Sequence, residues 1–293
     1  MWALLSSRQY GWLVLWTMSQ QAVLALSYDL LGGMGRELHL GHGAFFGVGA
    51  YACAVFLHGG LPWWVGVLAA GISGALAAGG LAPLLVELRG VDFALSSLCL
   101  ALLGGILARI LDPLTGGVSG LATPIVEREI PYLGTSILLL GTFWFHDALS
   151  HARWGRALRA TGIDPVAASH LGVRCRSSRT QALVLGSSLA SLAGGIYPLH
   201  SGYVSPESAF GLDVLLTPVV AVSMGGPGTR WGPLWGAGVL VAVQELLLTS
   251  SPGANLLLLG LFLVFWGLAL SRGEDGVGGR PSNSPPRAPR LTP

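Results

Sequence analysis

The sequence predicts an all-α polytopic membrane protein with about eight or nine transmembrane helices, several of them broken at glycines. Three observations carry that prediction. Only 10% of the 293 residues are charged and 52% are apolar, with a mean hydropathy of +0.64, whereas a soluble domain carries roughly 25% charged residues. Apolar runs of the ~20 residues needed to cross the hydrocarbon core recur along the chain. The 16 basic residues are all arginine and gather on one side of those runs.

The runs fall at 10–31, 41–58, 61–85, 91–111, 132–148, 181–200, 206–224 and 232–249, with a ninth at 254–271. Gly32, Gly33, Gly35, Gly41, Gly43, Gly47 and Gly49 crowd the second, and the fifth is at the lower limit for a span. With residues 149–180 placed in the cytoplasm, nine alternating spans put Arg36, Arg89, Arg153, Arg156, Arg159, Arg174, Arg176, Arg179, Arg230, Arg272, Arg280, Arg287 and Arg290 inside. Only Arg8 and Arg128 fall outside, and Arg109 sits near an outer end. The positive-inside rule therefore predicts an uncleaved first span with the N-terminus outside and the C-terminus cytoplasmic. Residues 1–272 are expected to form a single transmembrane domain with a cytoplasmic loop at 149–180, and 273–293, rich in Gly, Pro, Ser and Arg, are expected to be a disordered cytoplasmic tail.

Helix packing in lipid relies on close approach at small residues. Gly66, Ala70, Gly74 and Ala78 form one such stripe, and Gly186, Ala190 and Gly194, beside Ser187 and Ser191, form another. Trp12, Trp63, Trp64, Trp144, Trp231 and Trp235 lie near span ends and suit the headgroup region.

Composition excludes several chemistries. Without lysine there is no Walker A lysine, Schiff base or lysine-borne cofactor. Cys53, Cys99 and Cys175 are too scattered for a disulfide framework or a zinc half-site. A formal charge of +2 spread along the chain leaves no nucleic-acid footprint. No catalytic constellation can be assembled. Glu37, His39 and His42 lack a metal-binding pattern, Arg109 and Asp112 are expected to satisfy each other, Glu245 is expected to be structural, and His146, Asp147 and His151 are expected at an interface. Asp29 is the intramembrane charge best placed to line a path, beside the glycine-rich break, with Arg36 as the competing partner.

Two segments carry helix starts. In the cytoplasmic loop, Asp164 suits an N-cap, Pro165 the first helical position and Gly172 a left-handed stop, and Val166, Ala167, His170 and Leu171 share one face that needs a partner or the membrane interface. In the outer segment Ser205 and Pro206 start the seventh span, Pro218 interrupts it, and Gly225, Gly226, Pro227 and Gly228 end it.

Three stretches, taken together, resemble the permease subunits of branched-chain amino acid ABC importers, the LivM-like family, which includes urea and amide importers. They are Asp29-Leu30-Leu31 through Leu40-Gly41-His42-Gly43-Ala44-Phe45-Phe46 to Tyr51; Gly155-Arg156-Ala157-Leu158-Arg159-Ala160 with Ala167-Ala168 and Leu171-Gly172; and Tyr203-Val204-Ser205-Pro206 through Gly225-Gly226 to Trp231-Gly232-Pro233. The match covers most of residues 25–250 in order. Departures are Asp29 where the family often has Asn, charged Arg36 and Glu37 in a usually less charged turn, Pro165 in place of the coupling-motif Glu, and a short 117–153 segment suggesting an abbreviated helix.

The resemblance implies an importer permease in the bacterial inner membrane that is not itself an enzyme. ATP and Mg²⁺ would be bound by partner ABC ATPase subunits, and this chain would hold no cofactor and no metal. A second homologous permease subunit, giving a heterodimer, and a periplasmic or lipid-anchored substrate-binding protein would complete the complex. It implies an ATPase-coupling surface at Arg156, Arg159, Asp164, Pro165, Val166, Ala167, Ala168, His170, Leu171 and Gly172. It implies a translocation path at Asp29, Gly41, His42, Phe45, Ser205, Pro206, Gly225 and Gly226. Branched-chain amino acids are the expected substrates. The alternatives are urea or short amides, or a self-sufficient secondary carrier that needs no docking helix.

Overall fold

A computed structural model describes residues 2–124, 126–248 and 256–265. The elements in chain order are α1 (Trp2–Asp29), α2 (Gly43–His58), α3 (Trp63–Leu85), α4 (Gly90–Ile110), the single turn α5 (Asp112–Thr115), α6 (Glu129–His151), α7 (Arg153–Ile163), α8 (Pro165–His170), α9 (Cys175–Ser201), α10 (Pro206–Phe210), α11 (Leu212–Gly225) and α12 (Gly232–Leu248). A further helix, α13, runs over Leu256–Phe265. A two-residue bridge pairs Leu121–Ala122 (β1) antiparallel with Tyr203–Val204 (β2).

Among the described residues four segments are both long and apolar enough to cross a membrane: α3, α4, α9 and the combined Pro206–Gly225 unit. The expected count of eight or nine is thus not reproduced as spans of full length. The cause is local: α2 has 16 residues and α12 has 17, while α1 and α6 carry polar residues through their length. The ninth expected span extends beyond α13 at both ends, and the 273–293 tail lies outside the described residues.

α9 is the hub, packed against α1, α2, α3, α6 and α7. Both predicted small-residue stripes lie in its contacts. Gly66, Ala70, Gly74 and Ala78 are buried on α3, and Gly186, Ala190 and Gly194 are buried on α9. At the α2–α9 crossing the backbones meet without side chains between them. A Cβ on Gly194 would strike the Phe46 carbonyl oxygen, and one on Gly49 would lie 2.6 Å from the Ser191 carbonyl carbon. Ser191 Oγ donates to the Phe45 carbonyl at 2.5 Å across the same crossing. The six tryptophans expected at span ends are all exposed.

Four expectations change. The fifth span is a 23-residue helix rather than an abbreviated one, because α6 starts at Glu129 with Pro131 in its first turn and runs on to His151. The loop at 149–180 is mostly helical, since α6, α7, α8 and α9 follow one another with short breaks. The seventh span is interrupted at Gly211, not at Pro218: Gly211 is extended, with φ −61° and ψ 151°, whereas α11 continues through Pro218. Arg109 and Asp112 form no ion pair among the described residues. α4 ends at Ile110, and Asp112 opens a separate turn, where the Gly116 amide donates to its backbone carbonyl.

Candidate functional site

The helical ladder of α1 stops at Asp29, and residues 30–42 return through the bundle without helix before α2 begins. The chain turns tightly there: the Gly32 amide donates to the Tyr28 carbonyl at 2.8 Å, and the Met34 amide to the Asp29 carbonyl at 2.8 Å. Arg36, at φ 53°, is the only non-glycine with positive φ among the described residues. An unwound segment inside a bundle leaves backbone and side-chain polar groups that must find partners away from water.

Most of those partners come from distant elements. Asp29 is fully buried. Its Oδ2 accepts from His146 Nε2 on α6 at 2.8 Å, and its Oδ1 accepts from the Gly228 amide, after α11, at 2.8 Å. His42 Nε2 pairs with Ser27 Oγ at 2.9 Å, and the Gly41 amide donates to Ser97 Oγ on α4 at 3.3 Å. His39 and His42 are both buried, with rings 5.6 Å apart, and His39 packs against Phe93 and Phe45. Neither histidine converges with Glu37, which turns to Arg179 at 3.0 Å instead. Burial pushes the Glu37 carboxyl up, and the Arg179 and Arg89 charges partly offset that. Beside this segment a cavity of about 190 Å³ is lined by His39, Gly41, Phe45, Ser97 and Phe210, among mostly apolar neighbours.

The sequence missed two members of this cluster. His146 was expected at an interface with Asp147 and His151, yet it is 1% exposed and faces Asp29 across 117 positions of sequence. Of its neighbours, His151 is exposed as expected, whereas Asp147 is largely buried and holds Arg230 at 3.1 Å. The pairing of Asp29 with Arg36 is therefore corrected, because the turn at 30–34 points the carboxylate inward while Arg36 lies exposed beyond it. Arg179, counted above only as a topology marker, is buried and donates to the Val86 and Leu88 carbonyls at 2.5 and 2.8 Å, past the end of α3. Glu245 Oε2 accepts a bond from Tyr10 Oη at 2.5 Å.

The second site is the 164–172 helix. Asp164 Oδ1 accepts from the Val166 and Ala167 amides at 2.8 and 3.0 Å, Pro165 opens α8, and Gly172 follows at φ +82°, so start and stop are those written in the sequence. Ala168 is buried toward the bundle, whereas Val166 is 65% and Leu171 83% exposed, with Ala167 and His170 also exposed. Arg153, Arg156, Arg174 and Arg176 stand exposed around it. α7 anchors this helix to the bundle: Leu158 is fully buried, Arg159 Nη2 reaches the Gly228 carbonyl at 3.4 Å, and Gly162 packs on the Gly35 carbonyl with no room for a Cβ. Arg156 is held by the His151 carbonyl at 2.7 Å.

At the other end of the bundle Ser205 caps α10 reciprocally with Ser208, Oγ accepting from the Ser208 amide at 3.1 Å while the Ser205 amide donates to Ser208 Oγ at 3.0 Å. Pro206 is buried at the first helical position. Gly225 ends α11, and Gly226 follows with φ +99°. The structure thus joins Asp29 to Gly228 and sets Gly41 and Phe45 on one cavity with Phe210 of α10, while Ser205 and Pro206 open that helix at its other end.

Residues 13–266 match the family model described as the permease component of the branched-chain amino acid transport system. The chain is similar to the high-affinity branched-chain amino acid transport system permease protein LivM of Escherichia coli, at 25% identity over 83% of this chain and 64% of that protein. The LivM of Salmonella typhimurium matches at the same identity and coverage. The autoinducer 2 import system permease protein LsrC of Yersinia pseudotuberculosis is 30% identical over 69% of this chain and 59% of its own length. The chain therefore spans somewhat less than two thirds of the length of these relatives. No solved structure matches it at a significant level.

Proposed function

Because this chain belongs to the family of branched-chain amino acid transport system permease components, we propose that it is the non-catalytic, multi-pass membrane subunit of an ATP-driven importer in a bacterial inner membrane. Partner ABC ATPases bind ATP and Mg²⁺ and dock on α8. A second permease chain completes the path, and a binding protein delivers solute from outside. The observation that carries this proposal is α8 itself. A six-residue helix, capped at both ends, turns Val166 and Leu171 outward amid arginines, and so short a helix has no stability of its own to justify that exposure. A self-sufficient carrier has no use for such a surface.

The path in this proposal runs along Gly41, His42 and Phe45, the 190 Å³ cavity beside them, and the breaks at Ser205–Pro206 and Gly225–Gly226. Unwound segments can rearrange without breaking a helical ladder, which is what alternating access requires. Asp29 stands behind that wall, since it does not line the cavity. Branched-chain amino acids are the first substrates to test, on the LivM similarity. The higher identity to an autoinducer 2 permease favours a second possibility, a different small polar solute delivered by another binding protein.

Co-purification with the ATPase subunits tests the docking surface. Leu171→Asp and Val166→Asp, both on exposed positions, are expected to abolish association while leaving folding intact. Ala168→Arg is a poorer probe, because Ala168 is 2% exposed and its replacement would disturb α8 against the bundle. Wild-type association and uptake in both aspartate variants would remove the coupling assignment. Uptake by this chain alone in liposomes, driven by an ion gradient, would establish the carrier instead.

A further inference from the structure

We infer that Asp29 is a positioning residue that couples the docking helix to the unwound segment at 30–42 by clamping α1, α6 and the 226–228 turn into one unit. The inference rests on the proposed function above. Its two hydrogen bonds go to elements 117 and 199 positions away in sequence, both at 2.8 Å; α6 also meets the segment after α11 through Asp147–Arg230 at 3.1 Å and the Phe143–Trp231 rings, and Asp29 adds the end of α1 to that junction. The fit is close: a Cβ on Gly33 would collide with Asp29 Oδ1 and approach the Gly228 amide to 2.6 Å, so a side chain at 33 would displace the carboxylate.

The clamp is contacted from the docking side. α8 follows α7 through the single cap residue Asp164, and besides adjoining α6 directly, α7 touches the unwound segment through Gly162 on the Gly35 carbonyl and the 226–228 turn through Arg159 on the Gly228 carbonyl. Gly35 lies six residues beyond Asp29, and Gly228 is its direct hydrogen-bond partner. A displacement of α8 therefore reaches residues 30–42 and 226–228 together, and the carboxylate makes them move as one. A packed apolar residue at 29 would fill the space but would leave the Gly228 amide and His146 Nε2 without acceptors. Asn keeps one acceptor, for the Gly228 amide, and can donate its own amide to His146 Nε2 in the other imidazole tautomer.

The whole transporter, reconstituted in proteoliposomes with its ATPases, second permease chain and binding protein, tests this through the ATP hydrolysed per solute imported. Asp29→Ala and His146→Ala are expected to lower import tenfold or more while hydrolysis falls less than twofold and loses its response to loaded binding protein. Asp29→Asn should remain within about threefold of wild type in both. Gly33→Ala should resemble Asp29→Ala, and Arg159→Gln, at a partly exposed position, should shift the ratio in the same direction by a smaller factor. Should the alanine variants fail to fold, Gly33→Ala and Arg159→Gln decide the matter. An unchanged ratio in the folded variants, or import and hydrolysis falling in proportion, would overturn the clamp. Absence of ATPase association in the wild-type chain would overturn the proposed function instead.

Discussion

Arg179→Met offers the sharpest test of what holds the inner half of the bundle. The guanidinium is 4% exposed and pairs with a Glu37 side chain that is 13% exposed, at 3.0 Å. It also donates to the Val86 and Leu88 carbonyls and lies over the Phe93 ring at 5.6 Å. Methionine has similar length and keeps the apolar packing, but it strands a buried carboxylate and two carbonyls at the C-terminal end of α3. Removing one partner of a buried pair costs about 3–5 kcal/mol, a figure taken as a lower bound here because the two orphaned carbonyls add to it wherever water cannot reach them. At about 2–4 °C per kcal/mol for a chain of comparable size, the melting temperature should fall by on the order of 10 °C. Cys53 is fully buried and serves as reporter in a Cys99→Ser/Cys175→Ser background, where a thiol-reactive dye labels it only on unfolding.

The pH dependence has a definite sign. Loss of Arg179 removes a charge that offsets the burial of Glu37, so the folded-state carboxyl rises further above its unfolded value. A carboxyl raised in the folded state contributes stability that is complete below the unfolded value and is lost as the pH climbs through the folded one. The penalty of Arg179→Met should therefore be smallest near pH ~4 and grow toward pH ~8. Arg179→Met/Glu37→Leu should regain more than half of the loss. A double variant no more stable than the single one, or a penalty flat across that range, would refute the buried-pair account.

Other expectations concern single contacts. Asp164→Ala removes both cap bonds of α8, worth about 0.5–2 kcal/mol locally, and should cut ATPase co-purification severalfold with little change in melting of the chain. Gly194→Leu should yield no monodisperse protein on size exclusion, since its side chain would enter the Phe46 backbone, whereas Gly141→Leu, with nothing within 4 Å of its Cβ, should purify normally. Ser205→Ala breaks the reciprocal cap with Ser208 and should lower the melting temperature by a few degrees, at roughly 1 kcal/mol; an unchanged value would mean that Pro206 and the β1–β2 bridge hold that corner alone.

Local signals were the legible ones. Caps at Asp164 and Ser205, the left-handed stop at Gly172 and the small-residue stripes each depend on neighbours within a few positions, and each has its expected form in the structure. In the sequence Pro218 reads as the break of the seventh span. Yet α11 continues through it, while Gly211 lies where a Cβ would come within 2.5 Å of the Glu207 carbonyl. The partner of Asp29 was illegible for a different reason. Sequence offers the nearest opposite charge, Arg36, but a positive φ at that residue turns the backbone away and leaves the carboxylate to groups 117 and 199 positions distant.

The arginines show the same limit from the other direction. Counting charge near span ends predicts a side of the membrane because the rule depends only on proximity to the interface. It says nothing of engagement, which depends on what lies across the bundle. Arg179 closes the end of α3, Arg230 holds Asp147 and lies over Phe143 and Trp231, and Arg159 reaches Gly228. Arg176 meets Glu87 at 3.0 Å with both side chains more than 60% exposed, a pair worth little in water. Three of these arginines thus fasten the bundle. The exposed ones around α8, Arg153, Arg174 and the loosely paired Arg176, do not fasten it; if α8 docks a partner as proposed, substitutions at these three should weaken association and leave melting unchanged, and substitutions in the first group should do the reverse.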